Sequence, residues 1–337
     1  NILLMKNHKL TVVIPTYNRC NDLDVCLHYV VPQVEPYKDR VHIYISDNAS
    51  TDNTKAVVKG YMDKHPDMIT YYCQPCNITA SPNFNHAVHN VNSEFIYMLS
   101  DDDIIVPGFI SLMLGYMSRY KNVNYYYLNQ YVADMDMHGA FLYNSRLTMD
   151  YVTLYDKGGE LIKEYLNGPS CISANLFRRE VWIDAVKEMK EDCPGYVWLS
   201  ILFHGVVRTE NVAVVNYPMF TARMPVVQRY SANWPWYYVK GLGQLFTYLD
   251  EIHPGIYKAW IQRQQKEGRR QFMMMLCGIA IEKKLYRERA REIKPFIQSS
   301  FMRVLYDCLV TVIPGWFAVK VLKPTFRLFK IFSYIKM

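Results

Sequence analysis

Residues 10–19 read LTVVIPTYNR, in which a continuous apolar run is closed by Pro15 and followed by polar side chains. A short apolar run bounded in this way is typical of a buried strand. Similar runs recur at 41–45, 69–73 and 95–99, and helical patterns separate them. Strands alternating with helices predict right-handed βαβ units, and therefore an α/β fold with a mostly parallel central sheet flanked by helices.

Polar clusters follow three of these strands. Thr16 to Arg19 follow the first strand, Asp47 and Asn48 follow the second, and Ser100 to Asp103 follow the fourth. Ligands bind beyond the C-terminal ends of the strands in parallel α/β sheets. Because three clusters from separate strands meet at one edge, the sequence predicts a ligand site there.

Asp101, Asp102 and Asp103 place three carboxylates at the mouth of the predicted sheet. Mg²⁺ and Mn²⁺ prefer oxygen ligands and are commonly held by one or two carboxylates together with substrate phosphates. Such a metal ion would neutralise charge that develops on a departing diphosphate. The competing interpretation is a solvated turn, or acids near the N-terminus of the next helix. The triple Asp alone favours that interpretation, whereas the neighbouring clusters favour the metal site.

The clusters after the first two strands suit a nucleoside. Asp47 could accept a hydrogen bond from the N–H of a pyrimidine ring, and Tyr17 could cover the face of a base. The structural alternatives are an Asx turn at Asp47 and a helix N-cap at Ser50 or Thr51. Both alternatives are compatible with a binding role.

Three motifs at these intervals resemble those of the family 2 glycosyltransferases, which have the GT-A fold, over residues 9–130. The motifs are PTYN at 15–18, DNASTD at 47–52 and LSDDD at 99–103. The resemblance implies inverting transfer of a sugar from a nucleoside diphosphate sugar, with Mg²⁺ or Mn²⁺ as the cofactor. It assigns donor binding to Pro15, Thr16, Tyr17, Asn18, Asp47, Asp101 and Asp102.

The acidic motif of the family often begins with Asp at the position where Ser100 stands in this chain. Aligned in that way, Asp102 is the principal metal ligand that the resemblance implies, and Asp101 or Asp103 assists it. Some members resembling this chain carry the Ser-Asp-Asp-Asp form. We therefore interpret Ser100 as a variant of the motif.

Inverting transfer needs a carboxylate, or a histidine, that takes the proton of the acceptor hydroxyl as it attacks the anomeric carbon. In the family this base is usually an acid well beyond the metal motif, often within Glu-Asp at a helix start, which implies Glu191 and Asp192 here. A solvated helix end is the alternative for this pair. Asp184, Glu188 and His204 are weaker candidates, and His204 follows an apolar run typical of a packed histidine.

The C-terminal third has a different pattern, helical from Trp236 onward, so we expect a GT-A domain at 1–232 and an α-helical extension at 233–337. The net charge is +7, and basic residues are concentrated from Arg263 onward. Residues 301–337 combine Lys and Arg with many aromatic and aliphatic side chains, which is typical of a helix lying on an anionic membrane. Docking on its own domain and a dimer contact are the alternatives, and the apolar density argues against nucleic acid.

The sequence shows no signal peptide and no apolar run long enough to span a membrane. The eight cysteines are scattered, which indicates a reducing compartment. We therefore expect a cytoplasmic protein that is peripheral on the inner face of a bacterial plasma membrane. The expected acceptor is a glycan, a lipid-linked oligosaccharide of a surface polysaccharide.

Three other functions compete with this interpretation. A sugar nucleotidyltransferase or a dehydrogenase would place a Gly-rich phosphate loop after the first strand, and PTYN is not such a loop. A GT-A-fold binding or scaffold protein without catalytic activity stays open. It does so because Ser100 departs from the usual motif and no close motif identifies the base.

Overall fold

The computed structural model describes residues 8–138, 140–142, 151–166, 168–189, 197–224, 240–266 and 303–304. The chain divides into two compact units. The first comprises residues 1–190 and 201–223, and the second comprises residues 191–200 and 224–337. The domain boundary that we predicted at residues 232 and 233 falls outside the described ranges.

The described residues form ten strands and nine α-helices. The strands are β1 (His8–Thr16), β2 (Val41–Asp47), β3 (Ile69–Cys73), β4 (Ser93–Met98), β5 (Ile104–Ile105), β6 (Tyr125–Asp134), β7 (Phe141–Leu142), β8 (Val152–Lys157), β9 (Asn175–Arg178) and β10 (Glu210–Met224). The helices are α1 (Cys20–Val34), α2 (Thr54–Lys64), α3 (Ala80–Asn90), α4 (Phe109–Arg119), α5 (Gly158–Tyr165), α6 (Arg179–Glu188), α7 (Val197–Arg208), α8 (Leu242–Ile252) and α9 (Ile256–Lys266). The strands form one sheet in the order β3-β2-β1-β4-β9-β6-β10-β5, with β7 paired to β6 and β8 paired to β10.

β1 lies at the centre of the parallel part of the sheet, between β2 and β4. Its apolar side chains are fully buried, which accounts for the unbroken apolar run in the sequence. β1 pairs in parallel with β2 and β4, and β2 pairs in parallel with β3. The register places Thr16 opposite Asp47, so two of the polar clusters leave the sheet side by side. The predicted α/β fold is confirmed.

Antiparallel pairs extend the sheet beyond β4. β9 runs antiparallel to β4 and β6, and β10 runs antiparallel to β5 and β8. The parallel pairing predicted from the alternating pattern is therefore concentrated in the first four strands. An apolar run identifies a buried strand but carries no information about its direction, so the pattern could not distinguish the two kinds of pairing.

A single carboxylate supports the first turns of two helices. Asp52 Oδ2 accepts the N–H of Cys20 at 2.9 Å, and Asp52 Oδ1 accepts the N–H of Thr54 at 3.0 Å. Neither α1 nor α2 has a side-chain bond from its own N-cap residue. Although burial opposes it, hydrogen bonding from Thr54 and Cys20 lowers the pKa of Asp52 to about 2. Asp52 thus joins the starts of α1 and α2, next to the polar strand ends.

In the second unit, α8 and α9 are joined by a turn containing Gly255, which has a φ of 100°. Asp250 Oδ1 accepts the N–H groups of Gly255 and Tyr257 at 2.8 and 2.9 Å. α9 is described as far as Lys266, so the rest of the predicted extension, including residues 301–337 apart from 303–304, lies outside the described residues. No helix in the described ranges is long and apolar enough to span a membrane.

Candidate active site

Hydrogen bonds tie together the loops that follow β1 and β2. The backbone N–H of Asn48 donates to the carbonyl of Thr16 at 3.0 Å. The N–H of Asn18 donates to Ser50 Oγ at 2.9 Å, and Asn18 Oδ1 accepts the N–H of Thr51 at 2.7 Å. Ser50 and Thr51 therefore hold the first loop, and neither is the N-cap of α2.

Asp47 lies at the end of β2 with 1% of its surface exposed. Its Oδ1 accepts the N–H of Ser50 at 2.9 Å, and its Oδ2 accepts the hydroxyl of Tyr71 at 2.5 Å. Burial and the bond to Asp47 raise the pKa of Tyr71, which favours the protonated hydroxyl that donates to Asp47. Tyr17 is 43% exposed, which leaves its side chain accessible to a ligand.

The carboxylates of Asp101 and Asp102 converge on the guanidinium group of Arg19. Arg19 Nη1 lies 3.1 Å from Asp101 Oδ1 and 2.6 Å from Asp102 Oδ2. The second oxygen of Asp101 accepts the hydroxyl of Thr16 at 2.8 Å, and the second oxygen of Asp102 accepts the hydroxyl of Ser100 at 2.5 Å. The residue at the variant position of the motif therefore orients the predicted principal ligand.

Asp103 is buried, and both of its oxygens have partners. Ser173 Oγ donates to Asp103 Oδ2 at 2.6 Å, and the backbone N–H of Arg223 donates to Asp103 Oδ1 at 3.1 Å. The side chain of Arg223 is also buried, and its Nε donates to the carbonyl of Asp102 at 2.6 Å. Asp103 thus fixes the acidic loop to the two segments that carry Ser173 and Arg223.

The three neighbouring carboxylates give the loop a strongly negative electrostatic potential. Burial raises the pKa of Asp101 to about 6, with the charge of Arg19 opposing the shift and that of Asp102 adding to it. Burial, followed by the charge of Asp102, raises the pKa of Asp103 well above its ordinary value. Burial thus disfavours the charged forms of Asp101 and Asp103, and a cation beside the loop would offset that cost.

Asp101 and Asp102 fit a divalent cation, because one oxygen of each already converges on a single positively charged nitrogen. Carboxylate oxygens are the ligands that Mg²⁺ and Mn²⁺ prefer. Asp101 and Asp103 are equally buried, and Asp103 differs from the other two acids in its partners, because its oxygens accept from Ser173 Oγ and the backbone N–H of Arg223. The three neighbouring acids therefore divide into a pair that shares Arg19 as its partner and one residue that supports the loop.

Another possible cation-binding group lies in the turn after β6. One ligand atom each from Asp134, Asp136 and His138 lie within 4.8 Å of one another. Asp134 Oδ1 accepts the N–H groups of Asp136 and His138 at 3.1 and 2.7 Å, so this turn is stabilised without a metal ion. Asp136 and His138 are exposed. An exposed turn of this kind fits a metal ion less well than the Asp101–Asp102 pair does.

The predicted base pair, Glu191 and Asp192, lies outside the described residues. Among the weaker candidates, Glu188 Oε2 lies 2.7 Å from Arg208 Nε and 3.4 Å from His204 Nε2. Asp184 is paired with a lysine on the exposed side of α6. The side chain of His204 is buried, as expected for a packed histidine.

Sequence reasoning missed four residues of this site: Arg19 as an ion-pair partner, Tyr71, Ser173 and Arg223. Arg19 lies in the polar cluster after the first strand. Since that cluster and the three acids were predicted to meet at one sheet edge, an ion pair between them could have been predicted. Tyr71 lay in a correctly predicted strand, where an alternating Tyr is indistinguishable from a core residue. Ser173 and Arg223 carried no local signal, because their partner Asp103 lies 70 and 120 residues away.

Comparison with known proteins bears on this site. The family model described as glycosyl transferase family 2 matches residues 11–184, just over half of the chain. The chain is 33% identical over 108 residues to the GalNAc(5)-diNAcBac-PP-undecaprenol beta-1,3-glucosyltransferase of Campylobacter jejuni, across 32% of this chain and 33% of that protein. It is 26% identical over 114 residues to abequosyltransferase RfbV of Salmonella typhimurium, across 34% of each. The chain thus covers about a third of the length of these relatives.

Among solved structures, the fold is similar to that of S. aureus TarS 1–349 in complex with UDP-GlcNAc. The TM-score is 0.58 at 13% sequence identity, with 89% of this chain and 87% of that chain covered. A second crystal structure of TarS 1–349 gives a TM-score of 0.55 at 14% identity, with 89% and 86% covered. The likeness confirms the predicted GT-A fold.

Proposed function

The chain belongs to glycosyl transferase family 2, and on that premise we propose that it transfers a sugar, with inversion, from a nucleoside diphosphate sugar to a hydroxyl of a glycan acceptor. The observation that carries the proposal is the convergence of Asp101 and Asp102 on one cation, beside the strand ends of Thr16 and Asp47. The acidic loop lies next to a polar edge with an accessible Tyr17, which supports a ligand made of a base and a diphosphate.

The nucleoside part of the donor would lie over the first two strand ends. Tyr17 would cover the base, Asp47 would bind its polar edge, and Pro15, Thr16 and Asn18 would shape the loop beneath it. The family assignment supports this placement, as does the fold shared with TarS, which was crystallised with UDP-GlcNAc. The hydrogen bonds between Asn18 and the loop after β2 keep the two halves of this surface together.

Asp102 and Asp101 would hold Mg²⁺ or Mn²⁺ beside the diphosphate. When bound, the metal ion would neutralise the charge that develops on the diphosphate as the sugar departs. Ser100 orients Asp102 by donating to its second oxygen, and Thr16 orients Asp101 in the same way. Asp103 would hold the loop in shape through its bonds to Ser173 and Arg223.

For the base we propose Glu191 or Asp192. The acceptor oxygen would attack the anomeric carbon from the face opposite the diphosphate and form the new glycosidic bond. The bond from the anomeric carbon to the diphosphate oxygen would break, with its electron pair leaving on the diphosphate. The carboxylate would take the proton of the acceptor hydroxyl.

We further propose that the acceptor is a lipid-linked oligosaccharide and that residues 233–337 form a helical extension that brings the protein to the inner face of a bacterial plasma membrane. The basic and apolar residues of 301–337 support this placement. Flotation with anionic liposomes, comparing the full chain with a chain lacking 301–337, tests it. Equal flotation of the two chains would contradict the membrane role.

A screen of nucleoside diphosphate sugars tests the donor assignment. With Mn²⁺ present, one donor is expected to raise the thermal unfolding midpoint well above the others, because binding to the folded state stabilises it. The same donor, with an acceptor, is expected to release its nucleoside diphosphate. If a donor stabilises the fold but no release occurs under any condition, the chain is a non-catalytic binding protein with the GT-A fold. If no donor stabilises it and none is consumed, the proposal is wrong.

A further inference from the structure

We propose that Arg19 is a displaceable counter-cation of the donor site. In the free protein it occupies the point where Asp101 and Asp102 bind a metal ion, and it moves to the diphosphate of the donor when that ion arrives. This inference rests on the proposed function, since it assumes that a metal ion and a diphosphate meet at this loop.

The first step of the argument is geometric. One nitrogen of Arg19, Nη1, lies within 3.1 Å of Asp101 Oδ1 and 2.6 Å of Asp102 Oδ2. A metal ion held by the same two oxygens would need the position between them, at a shorter distance than a hydrogen bond. Two cations cannot share that position because they repel each other and exclude each other sterically. Arg19 and the metal ion are therefore alternatives.

The second step is that Arg19 can leave. Its side chain is 48% exposed, and its Nε and Nη2 donate no hydrogen bond to any of the described residues. Arg223, the other arginine on this loop, shows the contrast. Its side chain is 4% exposed, and its guanidinium nitrogens donate to the carbonyls of Asp102, Met135 and Asp22. Arg223 is fixed by backbone oxygens, whereas Arg19 is held through one nitrogen.

The third step concerns where Arg19 goes. Its planar guanidinium has donors to spare, and arginine binds phosphate oxygens with two parallel hydrogen bonds. A diphosphate beside Asp101 and Asp102 lies within the reach of a side chain that already touches both carboxylates. Arg19 would thus exchange two carboxylates for the phosphates of the donor.

A purely structural ion pair makes the opposite prediction. If Arg19 holds the acidic loop in shape, its removal should loosen Asp101 and Asp102 and weaken metal binding. If Arg19 is a competitor, its removal should expose the two carboxylates and strengthen metal binding in the absence of a donor. The sign of the change therefore separates the two roles.

The experiment measures Mn²⁺ binding to the full chain by the EPR signal of free Mn²⁺, without nucleotide. Arg19→Ala is expected to bind Mn²⁺ about tenfold more tightly than the wild type, which corresponds to about 1.4 kcal/mol. Arg19→Lys, which keeps the charge, is expected to stay within about threefold of the wild type. Arg208→Ala is the matched control, since Arg208 is 49% exposed and paired with Glu188. The Mn²⁺ affinity of Arg208→Ala should equal that of the wild type.

A second measurement tests the destination of Arg19. Isothermal titration of the preferred nucleoside diphosphate at saturating Mn²⁺ is expected to show about tenfold weaker binding to Arg19→Ala and no change in Arg208→Ala. Unchanged or weaker Mn²⁺ binding to Arg19→Ala overturns the inference, as does an absence of Mn²⁺ binding in every protein. Sugar transfer is assayed separately. If the wild type transfers sugar but Arg19→Ala does not bind Mn²⁺ more tightly, only this inference is wrong. If Arg19→Ala binds Mn²⁺ more tightly but no sugar is transferred, only the proposed function is wrong.

Discussion

Ser173 Oγ lies 2.6 Å from Asp103 Oδ2 and donates a hydrogen bond to it, while the same hydroxyl oxygen accepts the backbone N–H of Ser100 at 2.9 Å. Ser173 is fully buried and belongs to the short 3-10 helix Ile172–Ala174 that precedes β9. One hydroxyl therefore holds both ends of the acidic loop. The positions of Asp101 and Asp102 between those ends depend on it.

Ser173→Ala is expected to lower the free energy of unfolding by about 2–3 kcal/mol, because it leaves a buried carboxylate oxygen and a buried N–H without their partner. Urea denaturation measures the loss. Ser111→Ala is the control, since Ser111 Oγ donates to the carbonyl of Gly108 at an exposed position. Its cost should stay within about 0.5 kcal/mol. Equal losses in the two variants would contradict the role of Ser173.

Asp102→Asn and Asp103→Asn are expected to fail in different ways. Asp102→Asn removes a charge from the proposed metal site and should lower transfer about a hundredfold, or about 2.7 kcal/mol, with little effect on stability. Asp103→Asn places an amide NH₂ against one of its two donors, Ser173 Oγ or the N–H of Arg223, and should cost about 1–3 kcal/mol of stability. Kinetics and urea denaturation on both variants check this. Greater loss of stability in Asp102→Asn than in Asp103→Asn would reverse the assignment.

Tyr71→Phe is expected to weaken binding of the preferred nucleoside diphosphate about tenfold, because a charge-assisted hydrogen bond to Asp47 is lost and the carboxylate is no longer oriented. Isothermal titration measures the affinity. Tyr72→Phe is the matched control on the same strand, since Tyr72 is 40% exposed and its ring contacts that of His86. Equal affinities of Tyr71→Phe and the wild type for the nucleoside diphosphate would show that Asp47 and Tyr71 do not contribute to binding the base.

The stability of the fold is expected to fall between pH 6.5 and pH 4, in part through His42. Burial, and then the neighbouring His8, lower the pKa of His42 from 6.5 to about 4. In that interval the unfolded chain binds a proton at His42 and the folded chain does not, so the loss reaches about 3 kcal/mol at the acid end. His42→Phe should flatten the pH dependence of urea denaturation, and replacing the exposed His28 should not. Parallel pH curves for the wild type and His42→Phe would contradict this cause.

Thr79 has a φ of 68°, in the left-handed region that a β-branched residue disfavours. Thr79→Gly is expected to raise the free energy of unfolding by about 1 kcal/mol, because the relief of strain exceeds the added entropy of the unfolded chain. Ala80→Gly, at the first residue of α3, should lower it by about 0.5–1 kcal/mol. Calorimetry or urea denaturation compares the two, and changes of the same sign would refute the strain at Thr79.

The parts of the fold that were predicted from sequence are those with a local signal. The apolar runs at β1 to β4 and the polar residues after them lie within short segments, so spacing alone places Thr16 and Asp47 at one edge. β5 has two residues, which is too short for a periodic pattern. β10 extends from Glu210 to Met224, well beyond the apolar run at 212–215. The strand directions and the extent of β10 depend on partners distant in sequence.

The roles of the three acids could not be read from the sequence either. Asp101, Asp102 and Asp103 are chemically identical neighbours, and their differences arise from what surrounds them in the fold. Asp103 meets Ser173 and Arg223, whereas Asp101 and Asp102 meet Arg19. The family resemblance ranked Asp102 first as a metal ligand. In the structure Ser100 and Arg19 both bond to the Asp102 carboxylate and orient it.

The pairing of β5 with β10 also sets an order of events during synthesis. Ile104 and Ile105 pair with Thr221 and Phe220, and Asp103 bonds to a residue 120 positions further along the chain. β1 to β4 all precede Leu99, so these strands can pair with one another while the ribosome is still translating the middle of the protein. The acidic loop must wait for Arg223 to emerge. A nascent chain therefore contains the strand ends of Thr16 and Asp47 long before Arg223 is available to bond to Asp103 and complete the acidic loop.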